Sequence, residues 1–231
     1  MLNVAVIGLG NMGRHHVRNY HEMPEANLVA VCDRDESRVL EFSENFHCNA
    51  YTSLEQLLSE EQVDAINITT STSTHFEIAS YAIQKGVNVL IEKPICDNVD
   101  EAKLLIDLAK KNNVIIMVGH IERFNPAVQK MKDMIENGEL GEVTSLVSRR
   151  VGVFPPQIHD ANVVVDLAVH DIDIFNYLLN KQPDSIQGNA GRALINGRED
   201  HAVLLLKYGA QSGFIQVNWI TPVRIRQLAV T

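Results

Sequence analysis

The chain has 231 residues, enough for one large or two small domains, and its 45% hydrophobic and 21% charged residues are the balance of a soluble globular protein. Its formal charge of −9 is spread without a basic block, which argues against a nucleic-acid partner. Cys32, Cys48 and Cys96 are odd in number and far apart, so they form neither a disulfide framework nor a C-x-x-C zinc or redox pair, and a reducing cytoplasm fits them. The opening "MLNVAVIG" lacks the basic flank of a signal peptide, and no run reaches the ~20 apolar residues of a membrane span.

In chain order, continuous apolar runs at 3–8, 28–32, 64–69, 87–92 and 114–119 read as buried strands. Between them the helical period predicts helices near 12–22, 35–46, 53–59, 75–85 and 99–112. Apolar strands alternating with helices predict a parallel sheet covered on both faces. "DRDESR" and "DNVDEA" supply caps and helix-start acids. Beyond residue 120 the pattern changes. "FNPAVQKMKDMIENGELG" reads as a helix closed by glycine, "EVTSLVSRRVG" as a strand, and 162–180 as a long helix; four antiparallel strands with glycine turns follow. The expected division is 1–120 and 121–231.

"VAVIGLGNMGRHH", residues 4–16, carries G-x-G-x-x-G between a predicted strand and a predicted helix, and the next strand ends in an acid, Asp33. That context turns a weak motif into a dinucleotide-binding one. Gly8 permits the tight turn, Gly10 lets backbone approach a pyrophosphate, and Gly13 lets the helix pack close to the sheet. Gly8, Gly10, Asn11, Met12 and Gly13 are thus the candidate phosphate loop, with free N–H groups at the helix start. Asp33 can accept from a ribose hydroxyl and repels a 2′-phosphate, which favours NAD; Arg34 beside it leaves NADP open.

Glu92-Lys93-Pro94 follows the strand "VLIE", at the sheet edge where ligands bind. With the glycine loop, "TSTSTHFEIA" (70–79), "GHIERFNPAV" (119–128) and "DLAVHDIDIFNYLL" (166–179), it resembles the Gfo/Idh/MocA oxidoreductase family over nearly the whole chain. The resemblance implies an α/β fold: a doubly wound parallel Rossmann sheet, then a C-terminal α+β domain with a mostly antiparallel open sheet. It implies that Glu92 holds a cofactor ribose and that Lys93 lies beside the nicotinamide and the reacting hydroxyl. Thr70, Ser71 and His75 would line the cofactor, on a loop that Thr72 loosens where the family often has proline. Arg123 and Asn125 would face the active-site cleft.

Asp166 and His170 are four residues apart, on one face of an α-helix. The spacing suits an aspartate that orients a histidine base; it equally suits two metal ligands, for which no third ligand motif appears, so no metal is expected. His15, His16 and His21 read as a solvated helix face, and Trp219 as core or interface. The implied reaction moves hydride between a secondary alcohol and NAD(P), with Lys93, His170 and Asp166 catalytic and Lys93, Arg123, Asn125, Asp166 and His170 meeting substrate. Residues 149–175 resemble the branch that oxidises the 3-hydroxyl of UDP-N-acetylglucosamine and similar nucleotide sugars, with Arg149 and Arg150 available to a diphosphate. Family members are usually longer, so the second domain reads as truncated, with a sheet edge and face that a second copy would cover. The rival readings are a catalytically silent dinucleotide-binding module and a reductase of a non-sugar carbonyl or imine.

Overall fold

In the first strand, Leu2–Ile7 (β1), consecutive side chains point to opposite faces, yet Val4, Ala5, Val6 and Ile7 are all buried. Such a strand belongs inside a sheet covered on both sides. The computed structural model describes residues 1–154 and 161–231, which fall into two units, Met1–Gly119 and His120–Thr231.

In the first unit β1 leads to α1 (Asn11–Glu22), β2 (Ala26–Cys32), α2 (Glu36–Phe46), β3 (Asn49–Tyr51) and α3 (Leu54–Glu60). Then come β4 (Ala65–Ile68), α4 (His75–Gln84), β5 (Asn88–Ile91), α5 (Val99–Asn112) and β6 (Ile116–Val118). The strands lie in the order β3-β2-β1-β4-β5-β6, with every pair parallel. This is the doubly wound dinucleotide-binding order, whose direction reverses between β1 and β4. Ala5 and Ile7 join one apolar cluster, with Ile68, Ala79 and Ile83; Val4 and Val6 join another on the opposite face, with Val17 and Phe42. The helix starts follow their caps: Asp35 accepts from Arg38 N, Ser53 from Gln56 N and Asn98 from Glu101 N. The three-residue β3 is absent from the sequence reading, being too short to show a period.

The second unit opens with a 3-10 turn, Ile121–Phe124, and α6 (Pro126–Glu136), which Asn125 caps with Pro126 in the first turn. The strand β7 (Ser145–Val153) follows. The segment expected as one helix over 162–180 divides. Val164–Ala168 is a π-helical turn and α7 proper runs Val169–Leu179, so α-helical spacing applies only from Val169 on. β8 (Ser185–Gly191), β9 (His201–Tyr208), β10 (Gln211–Asn218) and β11 (Ile220–Val230) complete a sheet ordered β11-β7-β10-β9-β8. Only the β7–β10 pair is parallel among these described strands. The inner face packs Leu146, Leu204, Leu206 and Ile215 against Phe175 and Leu178 of α7. Trp219 is core, edge-on to Phe154.

Candidate functional site

The glycine loop bridges β1 and α1 at the point where strand order reverses. Gly8 has φ +92°, in the left-handed region, and a Cβ there would meet Thr70 at 2.8 Å. A Cβ on Gly13 would sit 2.0 Å from the Gly8 carbonyl oxygen, which is the close packing expected of the third glycine. Gly10 is different: a Cβ there would meet nothing within 4 Å, so the space in front of its backbone is open. A cavity of about 480 Å³ borders Gly8, Gly10, Asp33, Arg34, Thr70 and Ser71. Asn11 and Met12 begin α1 and are exposed, leaving the first-turn N–H groups accessible. An open, glycine-walled space before a helix N-terminus fits a pyrophosphate.

Asp33 directly follows β2 at the same cavity. Its carboxylate accepts from Leu9 N at 2.6 Å and Asp35 N at 3.0 Å, and Arg38 approaches at 3.4 Å. Two oxygens offer about four acceptor positions, so a ribose hydroxyl can still be accommodated. Arg38, which the sequence reading passed over, lines the cavity with Arg34. On the other side, Thr69 bonds back to the Gly8 carbonyl, and the 3-10 turn Thr72–Thr74 is closed by Thr74 Oγ1 on Thr70 Oγ1 at 2.8 Å. The loop expected to be loose at Thr72 is therefore internally bonded.

Two expectations change on the far side of the cradle. His16 is not on a solvated face: its Nε2 lies 2.8 Å from Glu92 Oε1, with both side chains largely buried. Glu92 Oε2 accepts from Lys93 N at 3.2 Å. Burial alone would push the Glu92 carboxyl up, but the His16 contact and Lys93 outweigh it and hold its pKa below the usual carboxylate range. The carboxylate expected to hold a ribose is thus already engaged by protein. His75, expected to line the cofactor, has its ring buried instead, with Nδ1 3.0 Å from the Pro94 carbonyl and Nε2 3.1 Å from that of Thr70. His16 was legible in one respect: it stands three residues after Gly13 and one before buried Val17, on the face turned to the sheet. His15 is exposed, and His21 rests edge-on against Phe46.

Lys93 stands in the first unit; Asp166 and His170 belong to the second. Asp166 lies in the π-turn and His170 in the first turn of α7. Such turns are frequent at functional sites because they re-aim side chains without breaking the helix. Next to them, Asp171 is 2% exposed and takes Arg150 in a two-pronged pair at 3.0 and 3.1 Å, while Arg150 Nη1 reaches Glu122 at 2.8 Å. Arg150, expected to be open to a diphosphate, is instead neutralised by two carboxylates of its own unit. Burial raises the Glu122 carboxyl, but Arg150, with Asn125 adding to it, holds it low. Arg123 is likewise committed, forked onto buried Asp173 at 2.8 and 2.6 Å and lying over Tyr177. Asn125 caps α6 through Ala127 N and donates to Glu122.

Comparison with known proteins decides the family. Residues 2–120 match the oxidoreductase family with NAD-binding Rossmann fold, and residues 128–230 match the GFO/IDH/MocA C-terminal domain. The chain belongs to the Gfo/Idh/MocA oxidoreductase family. It is 34% identical over 201 residues to the UDP-N-acetylglucosamine 3-dehydrogenase of Acidithiobacillus ferrooxidans, covering 87% of this chain and 61% of that protein. It is 29% identical over 231 residues to the scyllo-inositol 2-dehydrogenase (NAD(+)) of Bacillus subtilis, covering 94% and 67%. A solved structure of the Acidithiobacillus ferrooxidans enzyme superposes with TM-score 0.90 at 30% identity, over 99% of this chain and 73% of that one. The chain thus spans about three-fifths to two-thirds of the length of these two relatives. Within the Gfo/Idh/MocA family the first unit is the NAD-binding Rossmann part, and no helix among the described residues is long and apolar enough to cross a membrane.

Proposed function

We propose that this Gfo/Idh/MocA chain is an NAD-dependent dehydrogenase acting on a secondary alcohol of a sugar or nucleotide sugar, the 3-hydroxyl of UDP-N-acetylglucosamine being the first candidate. The observation that carries the proposal is the match to both domains of an oxidoreductase family, with relatives named for that chemistry. When bound, NAD supplies the hydride acceptor. The first unit takes the cofactor: the open backbone at Gly10 receives the pyrophosphate and Asp33 a ribose hydroxyl, while Arg34 and Arg38 leave NADP as a weaker alternative. The second unit takes the substrate.

Lys93, as an ammonium, stabilises the alkoxide that forms as the hydroxyl proton leaves. His170 takes that proton, with Asp166 orienting it; a histidine side chain changes charge near neutral pH, which suits a general base. A positioned base of this kind contributes roughly 100- to 10,000-fold. Arg123 and Asn125 shape the substrate side through Asp173 and Glu122 rather than by direct charge.

The second sheet supports a homo-oligomer. Val147, Phe214 and Leu205 lie side by side across β7, β10 and β9 and are 40%, 39% and 49% exposed. A second copy covering this row would remove it from water. The three cysteines are free and buried, in keeping with a reducing cytoplasm.

The test follows absorbance at 340 nm with NAD or NADP and a panel of UDP-N-acetylglucosamine, scyllo-inositol and myo-inositol. NADH formation by the wild type that disappears in Lys93→Ala, His170→Ala is the expected result. NADH binding without turnover of any polyol would replace the proposal with a binding module, and NADH oxidation on a carbonyl or imine panel with a reductase.

A further inference from the structure

We infer that His16 and His75 are positioning residues for Lys93, clamping the segment Glu92-Lys93-Pro94 from two different helices. The inference rests on the proposed reading of Lys93 as the group that meets the reacting hydroxyl. It assigns a task to one buried and one partly buried ring that the reaction itself does not use.

The segment lies just past the parallel ladder of β5. Glu92 N still donates to Ile68 O at 2.9 Å, and Gly119 N to Ile91 O at 2.7 Å; beyond these the chain leaves the sheet. Pro94 has no N–H to offer a neighbouring strand. Here side chains take over from the ladder. His16 Nε2, from α1, meets Glu92 Oε1 at 2.8 Å, and the other oxygen of the same carboxylate accepts from Lys93 N at 3.2 Å. An ionised carboxylate only accepts, so the His16 nitrogen is the donor. One helix of the glycine loop therefore sets the Glu92 side chain, which in turn sets the Lys93 main chain.

From α4, His75 grips the other end. Its two nitrogens face the carbonyls of Pro94 and Thr70 at 3.0 and 3.1 Å, and the residue is 1% exposed. Both partners are acceptors; a neutral ring donates to one of them and an imidazolium to both. The ring joins the loop after β5, which carries Lys93, to the loop after β4, whose Thr70 packs over Gly8. The cofactor cradle and the backbone of Lys93 are thereby held in one register. A lysine tip on four methylenes is placed no more accurately than its backbone, and a misplacement of about 1 Å at a reacting group costs about 100-fold in rate.

The experiment compares the full chain as wild type, His16→Ala, His16→Gln and His75→Gln; the glutamine at 75 is chosen because an alanine would empty a buried site. Three quantities are read: hydrogen exchange at residues 92–97 against residues 4–17, the NADH dissociation constant by fluorescence, and kcat on any substrate the wild type oxidises. In His16→Ala, exchange at Lys93 rises about tenfold, the worth of one hydrogen bond. Its kcat falls roughly 10- to 100-fold while NADH affinity stays within about threefold. His16→Gln, whose amide can donate to Glu92, recovers most of the loss, and His75→Gln falls between.

Unchanged exchange at 92–97 in both His16→Ala and His75→Gln overturns the clamp, as does faster exchange with unchanged kcat. A glutamine no better than alanine at position 16, or exchange rising equally over 4–17, reduces both residues to general scaffold and also overturns it. If the wild type oxidises nothing, the reading of Lys93 fails by itself, and the exchange pattern still decides whether the two rings hold this segment.

Discussion

Two glycines three residues apart should respond to the same substitution in opposite ways. Gly13→Ala adds a Cβ at 2.0 Å from the Gly8 carbonyl oxygen, about 1.5 Å inside an ordinary contact distance. The oxygen belongs to backbone and the Cβ position is fixed by it, so no side chain can turn away to make room. Overpacking of this kind costs about 1–3 kcal/mol, and a clash with backbone belongs at the upper end. Alanine's better helix propensity returns at most about 1 kcal/mol, less in a first turn. The net loss is about 2 kcal/mol, or roughly 1 M in urea midpoint for a typical slope of ~2 kcal/mol/M.

Gly10→Ala is the counterpart. Its backbone, at φ −68° and ψ −158°, is open to any residue, and the new methyl meets nothing within 4 Å. Stability should stay within about 0.5 kcal/mol of wild type. The methyl instead occupies the space assigned to the pyrophosphate, so the NADH dissociation constant rises at least about tenfold. At NADH equal to 100 times the wild-type dissociation constant, ligand stabilisation then drops from about 2.7 to about 1.4 kcal/mol. Urea unfolding with and without NADH measures both effects. Undiminished NADH stabilisation in Gly10→Ala would refute the phosphate assignment, and wild-type stability in Gly13→Ala would refute the packing argument.

Other substitutions isolate single interactions. Asp33→Asn removes the charge that repels a 2′-phosphate while Arg34 and Arg38 remain, so the NADPH/NADH affinity ratio should rise about tenfold; an unchanged ratio in a fluorescence titration would show that Asp33 does not read the ribose. Arg150→Ala strands Asp171, 2% exposed, and should destabilise the second unit by about 3–5 kcal/mol in thermal or urea unfolding, with little rescue by Arg150→Lys because a lysine cannot fork. Asp200 is fully buried; burial pushes its carboxyl up, but bonds from Leu194 N, His201, Ile195 N and Ala193 N prevail and hold it well below the usual range. Its stabilisation is therefore complete above the unfolded value near pH 3.9 and declines as pH falls below it toward the folded value. Asp200→Asn should cost about 1–3 kcal/mol at pH 7 and show a shallower loss between pH 5 and pH 3 in urea midpoints; an equal slope would remove Asp200 from the acid response.

The sheet of the first unit was legible because its strands are apolar on both faces, which leaves unbroken runs such as "VAVI" with glycine or acid at their ends. The glycine loop was legible for a related reason: its glycines answer to local geometry, a turn and a helix start within ten residues. Partners across the chain left no such mark. His16 meets Glu92 from 76 residues away, and although its spacing from Gly13 marks the inward face, nothing in "GRHHVRN" names the carboxylate it meets. Asp171 and Asp173 stand in "VHDIDIF" with nothing local to mark them as paired, yet each is buried under an arginine supplied by another element. The π-turn at Val164–Ala168 was invisible because one widened turn hardly alters hydrophobic periodicity. Local rules wrote the scaffold, and distant pairings chose which polar residues it encloses.

The strand order of the second sheet bears on how the chain is made. β7 is an interior strand, flanked by β10 and β11, both of which are synthesised more than 55 residues after it. The parallel units of the first sheet close mainly over neighbouring elements, so that half can consolidate while the ribosome is still extending the second. β7 emerges with both of its ladders unmatched and carries Leu146, Val147 and Val151 through that interval. At about 5–20 residues per second, the wait for β10 lasts seconds, during which an unpaired apolar strand is open to capture by another nascent chain. Folding yield of this protein should therefore depend on translation speed and chaperone supply across residues 154–218, a stretch more than 130 residues along the chain from the glycine loop.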